Sequence, residues 1–212
     1  MGKHLYLWFL VLVFGFFLLP LIQSSDAVLG RIKEEVAQTD ALFGGASASS
    51  IVHQTNDYFD VFFVQTGLMA MGSNGKSSED EVARTKAASP LGNTMGALAD
   101  KTNDYMDALL AQGYALTLRL VLMMQWLPYV APFVAGVVVH GLSIRKIKFD
   151  TGGMISPMVY ASGLHMMVVI LLFPVLYLIL PIQLTPMFVP YWLLISAVPT
   201  ILVLSNIQRM KK

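Results

Sequence analysis

There is no cysteine in this chain, so no disulfide supports any part of it that reaches an oxidising compartment, and packing or partners must do so instead. Charge is scarce too: 13% of residues are Asp, Glu, Lys or Arg, against roughly 25% in soluble domains. Apolar residues fill the gap, with 56% hydrophobic side chains and a mean hydropathy of +0.64. They are gathered into four long stretches, Leu5 to Ile22, Leu120 to Val139, Val159 to Ile182 and Met187 to Leu204. Each is at or near the roughly 20 residues that a helix needs to cross a bilayer core. None of the four contains an acid, which argues against a proton-coupled transporter. No catalytic motif stands anywhere in the chain, so no enzyme, cofactor or metal is expected.

The charges that do occur are partitioned. From Gln23 to Leu118 there are twelve acids and six bases, a formal charge of −6; with a net charge of +1, the rest of the chain carries +7. Apart from Arg119, the bases outside that segment gather at Lys3, at Arg145, Lys146 and Lys148, and at Arg209, Lys211 and Lys212. Short basic flanks stay on the cytoplasmic side of a membrane, whereas long segments translocate regardless of charge. The expected topology therefore has both termini cytoplasmic, a periplasmic segment over 23–115, a basic cytoplasmic loop over 143–158, and an outer turn at Gln183 to Pro186. Aromatics at Tyr6 and Trp8, Tyr114, Tyr160, Tyr177, and Tyr191 with Trp192 mark the expected interfaces.

The first stretch, with its basic start and the Ser25-Asp26-Ala27 run, has features of a cleavable signal. Its 18 apolar residues exceed the roughly 7 to 15 of a signal core, and Val28, Leu29, Ile32 and Val36 continue the helical pattern. A retained anchor over 1–22 is the expectation. The exported segment reads as three amphipathic helices, from Leu29, Ile32, Val36 and Phe43, from Val52, Thr55, Phe59, Phe62 and Phe63, and from Leu98, Met106, Leu109 and Gly113. The last runs without a breaker into the second span. Between the second and third, 72–92 is rich in Gly, Ser, Asn and charge and reads as an exposed linker. The fold class expected is all-α, with four transmembrane helices, a small helical periplasmic domain between the first two, and a three-helix membrane domain over 116–212.

Several polar groupings carry chemical options. His53, Asp57 and Asp60 share one helical face and have metal-ligand chemistry, but no fourth ligand accompanies them, and a solvated face is the simpler reading. Asp100, Asp104 and Asp107 likewise form a stripe that faces away from Leu98 and Leu109. Gly75-Lys76-Ser77 imitates the end of a phosphate loop, yet Ala70 stands where its first glycine belongs and no strand precedes it. Within the apolar stretches, polar residues are the candidates for contact. Arg119 is placed to snorkel to the surface, the alternative being a buried ion pair, and Gln125 to hydrogen-bond across helices. His140 and His165 both fall near the inner face, but a pH-sensitive or metal pair there has no carboxylate partner in either span and is not the expectation. Arg145, Lys146 and Lys148 are the candidate contacts for anionic lipids or for an acidic partner. Their loop is too short for sequence-specific nucleic-acid binding.

The run from Arg119 through His140-Gly141-Leu142, Arg145-Lys146-Ile147-Lys148-Phe149, Ser156-Pro157-Met158-Val159-Tyr160, Leu180-Pro181-Ile182 and Pro186-Met187-Phe188-Val189-Pro190 resembles a family of inner-membrane proteins of unassigned function. That family is encoded in the conjugative-transfer regions of integrating elements and plasmids, near the coupling-protein gene. The resemblance covers roughly the C-terminal half, with support from Phe43-Gly44 and the Tyr58 helix; His140 departs from the more usual acid before Gly-Leu. It implies an accessory inner-membrane component of a conjugative type IV secretion apparatus, whose partners are other conjugation membrane proteins, the coupling protein among them, or a second copy of itself. A periplasmic sensor or regulator and a small transporter are the alternatives.

Overall fold

The computed structural model describes residues 2–70, 75–88 and 90–207, and among these the regular structure is helical, with no strand. The tail bases Arg209, Lys211 and Lys212, the side chain of Lys3 and part of the 72–92 stretch lie outside the described residues. Helix α1 covers Gly2–Ile22. The chain then breaks, and α2 (Ser25–Phe43) starts under the Ser24 hydroxyl, which accepts the Ala27 N–H at 3.4 Å. A serine cap with Asp26 in the first turn is a strong start signal. Gly44, at φ +81°, then turns the chain into α3 (Gly45–Phe59), which a π turn extends over Asp60–Val64. Only glycine takes that backbone conformation without strain.

Helix α4 (Glu79–Ala88) falls inside the stretch expected as linker. Its three first-turn acids and Lys86 in the last turn match the helix dipole, which favours helix despite the polar composition. Helix α5 then runs unbroken over Pro90–Asp150, 61 residues that join the third amphipathic helix to the second apolar stretch as expected. It also absorbs much of the expected 143–158 loop. Lys and Arg are good helix formers and are favoured near a helix C-terminus, so Arg145, Lys146 and Lys148 lie on the last turns of α5. The connection itself is only 151–156, before α6 (Pro157–Ile179) and α7 (Phe188–Ser205).

By length and composition three helices can cross a membrane, Thr94–Asp150 within α5, α6 and α7. Tyr6–Ile22 and Ser25–Phe43 together make a fourth candidate, bent by 115°. These are the helices of a membrane protein.

The chain divides into two compact units. The first comprises Met1–Leu122 with Leu178–Thr185. Its core joins Val28 and Ile32 of α2, Ile51 of α3, and Ala111, Ala115, Leu118 and Leu122 of α5. Gly113 lets the Phe63 ring lie against α5, since a Cβ there would stand 2.7 Å from the ring. The second unit comprises Met123–Tyr177 and Pro186–Lys212. Tyr177 is buried and stacks on Phe188 with centroids 4.6 Å apart. The Trp192 indole donates to the Ile170 carbonyl at 2.6 Å. Val169, Leu171, Leu194, Ile195 and Val198 are exposed, as expected for spanning helices that present apolar surface to lipid.

Candidate functional site

A buried charge in the first unit is the most constrained polar feature of the chain. Arg119 is 2% exposed and Glu35 1%. Arg119 Nε donates to Glu35 Oε2 at 3.2 Å, and Nη2 donates to Glu35 Oε1. The other donors reach the last turn of α6 and the chain that follows it: Nη1 bonds the Leu180 carbonyl at 2.9 Å and the Leu178 carbonyl at 3.5 Å, and Nη2 bonds Ile182 O at 2.8 Å. One turn pair earlier on the same face of α5, Gln112 Nε2 donates to Ile179 O at 3.4 Å. The last carbonyls of a helix have no donors of their own, and here two side chains of α5 supply them. The arrangement is a hub: α2 gives the counter-ion, α5 the guanidinium, and the end of α6 the acceptors.

The local sequence explains the placement. Val28, Ile32, Glu35 and Thr39 recur at helical spacing and are the buried residues of α2. Glu35 is therefore an acid set in an apolar stripe. Leu29, assigned to that stripe from the sequence, is exposed; the buried face is rotated by about one residue. The Thr39 hydroxyl donates to Glu35 O at 2.7 Å. Arg31, on the polar helix α2, bonds Gln23. Burial and the Arg119 charge draw the Arg31 guanidinium below its ordinary value, and Glu35 offsets part of that shift.

The expectation that Arg119 snorkels to the surface is thus corrected. The Arg119 side chain, set against α2, finds Glu35, 84 residues earlier in the chain, and an ion pair with three further carbonyl contacts outcompetes solvation. Its signal in the sequence was the lone acid within the stripe Val28, Ile32, Thr39.

Other expected groups fall out as follows. His53 Nδ1 lies 2.9 Å from Asp57 Oδ2 on an exposed face, and the Gln65 amide donates to Asp60 Oδ2 at 2.9 Å. No group of three His, Cys, Asp or Glu among the described residues could hold a metal ion. The stripe is not merely solvated: Asp100 accepts from Lys86, Asp107 from Lys76, and Asp104 from both the N–H and the hydroxyl of Ser25. Ser77, in the motif that imitates a phosphate loop, exchanges backbone bonds with the Asn103 amide at 3.0 and 2.9 Å. Among the described residues Gln125 has no cross-helix hydrogen bond, and His140 and His165 are exposed with no bond between them.

In the second unit Asn206 plays a role that sequence reasoning did not single out. Its Oδ1 accepts from Lys148 Nζ at 3.0 Å and from the Ser156 N–H at 3.4 Å, while its amide donates to Leu202 O at 2.9 Å. The buried Asn206 so joins the end of α5, the start of α6 and the end of α7. Arg145 and Lys146 take no part in it. With Leu142, Phe149 and Asp150 they line an open cleft of about 420 Å³.

No curated protein and no solved structure matches the chain. The model of the family described as IncC plasmid conjugative DNA transfer protein DtrJ-like matches residues 19–211, well beyond the C-terminal half that carries the resemblance, and the chain belongs to that family.

Proposed function

We propose that the protein is a non-enzymatic accessory component of a conjugative DNA transfer apparatus of the type IV secretion kind, seated in the bacterial inner membrane, which binds or positions another membrane component of that apparatus. Family membership supports the conjugative role. The Arg119 hub carries the positioning role. It fixes α2 and α5 to the chain between α6 and α7, so that a load on the exported helices is passed to the segment from which two candidate spans leave. Buried polar side chains of each unit, Arg119 with Glu35 and Asn206, join elements to one another, which is the chemistry of a scaffold. The charge partition supports cytoplasmic termini and a periplasmic 23–115 segment.

The test is affinity purification of the full chain from the membranes of cells that carry the surrounding transfer genes. Recovery of the coupling protein or a secretion-channel component is expected, together with a fall in transfer when the gene is deleted. Recovery of neither, with transfer unchanged, would refute the reading. Reporter fusions at Gly75 and after Lys212 should report periplasm and cytoplasm respectively, and the reverse pattern would overturn the topology.

A further inference from the structure

The three cations at the end of α5 divide into two kinds, and the division points to a ligand. Lys148 is engaged by Asn206 and acts as a strut between helix ends. Leu142, Arg145, Lys146, Phe149 and Asp150 follow the spacing of a single helical face, and they line the open cleft of about 420 Å³. Arg145 lies over the Phe149 ring at 5.4 Å, and its buried Nε has no hydrogen-bond partner among the described residues. Neither the Arg145 nor the Lys146 side chain has a hydrogen bond or an ion pair among the described residues, so the cations of the cleft are left to an external acceptor. Asp150, at the far end of the face, leaves it a net positive charge.

The apolar surroundings say where such an acceptor comes from. Leu142, Ile147 and Phe149 are exposed beside the cations, and Met154 and Met158 beyond them are 92% and 80% exposed. In water this would be an uncovered apolar patch, whereas at a bilayer boundary it is covered. The apolar run of α5 ends at Val139, and Arg145 follows after about 9 Å of helical rise. The headgroup zone begins where the hydrocarbon ends and is about 5 to 8 Å deep on each side, within reach of an arginine or lysine stem extended back along the helix.

We propose that Arg145 and Lys146 hold the phosphate headgroup of an anionic phospholipid, with Leu142 against its acyl chains and Lys148 outside the site. The proposal rests on the membrane reading but not on the role in transfer, so its failure leaves that role standing.

The experiment uses the full-length protein purified in detergent, with bound lipid quantified by native mass spectrometry in the presence of phosphatidylglycerol or phosphatidylcholine. Two cations at a surface strengthen retention by about 30-fold, about fivefold each, so a preference for phosphatidylglycerol of that order is expected. It should fall to near parity in R145Q/K146Q, persist in the charge-preserving R145K/K146R, which controls for folding, and persist in K148Q. Inorganic phosphate at matched concentration should not compete. Equal retention of the two lipids by the unmodified chain would overturn the proposal, as would a preference that survives R145Q/K146Q or one that K148Q abolishes equally. Competition by free phosphate would assign the site to a soluble anion instead. Absence of lipid preference with loss of partner recovery in R145Q/K146Q would assign it to an acidic protein segment.

Discussion

Both units are pinned by a side chain that gathers several helix ends, but one pin is charged and the other neutral. In the first, Arg119 and Glu35 bury a full ion pair and spend the remaining guanidinium donors on carbonyls at and after the end of α6. In the second, Asn206 uses an amide to collect Lys148, Ser156 and Leu202. The difference follows from what each must satisfy. The Arg119 site has carbonyls of residues 178, 180 and 182 to meet, and a five-donor fork meets several at once. The Asn206 site has both donors and acceptors around it, which suits an amide. A buried ion pair is poor evidence of net stability, because desolvation offsets much of the attraction. Its value here is that α2, α5 and the end of α6 are held in one arrangement.

The largest effect should come from breaking the charged pin on one side. Arg119→Ala leaves Glu35 buried without its counter-ion and the carbonyls without donors, and should cost about 3 to 5 kcal/mol. Thermal unfolding in detergent, followed by tryptophan fluorescence, measures it. Glu35→Ala should cost a similar amount. A double change, Glu35→Leu with Arg119→Met, removes the unpaired charge and should recover part of the loss but not all, since the carbonyls stay unmet. Full recovery would mean that the carbonyl bonds add nothing, and the hub would reduce to a simple pair. Asn206→Ala, at the neutral pin, should cost less, about 1 to 3 kcal/mol. A loss there equal to that of Arg119→Ala would erase the contrast between the two units.

The residues that were legible in advance are those whose signal is local. The apolar stretches mark α1, α6, α7 and the second half of α5, and the absence of a breaker predicts the continuity of α5 through Gly113. What was not legible is long-range pairing. Nothing near Arg119 in sequence announces Glu35, because the pairing depends on how α2 lies against α5, and the buried face of α2 is offset by one residue from the pattern that includes Leu29. The three cations of the expected loop are chemically alike in sequence and differ only because Asn206, 58 residues on, takes Lys148 alone. Likewise the acids of α5 read as a solvated stripe, yet Asp100, Asp104 and Asp107 each find a partner on α4, at the start of α2 or just before α4. Sequence pattern reports which faces are polar. It does not report which polar group meets which.

That stripe supplies the smallest effect and the sharpest control on the comparison. Asp107 and Lys76 are paired, but their side chains are 49% and 29% exposed, so water competes for both and salt screens them. Asp107→Asn keeps the shape and removes the charge; it should cost less than about 1 kcal/mol in low salt, and the cost should shrink further in about 1 M NaCl, where the screening length falls to about 3 Å. The cost of Arg119→Ala, measured in the same two buffers, should change little, because a buried pair is poorly screened. Parallel unfolding curves for the two variants at both salt concentrations decide the matter. If the Asp107 loss is large and insensitive to salt, the exposed stripe shares the burden assigned to the buried hub, and position rather than burial is what makes a charge in α5 structural.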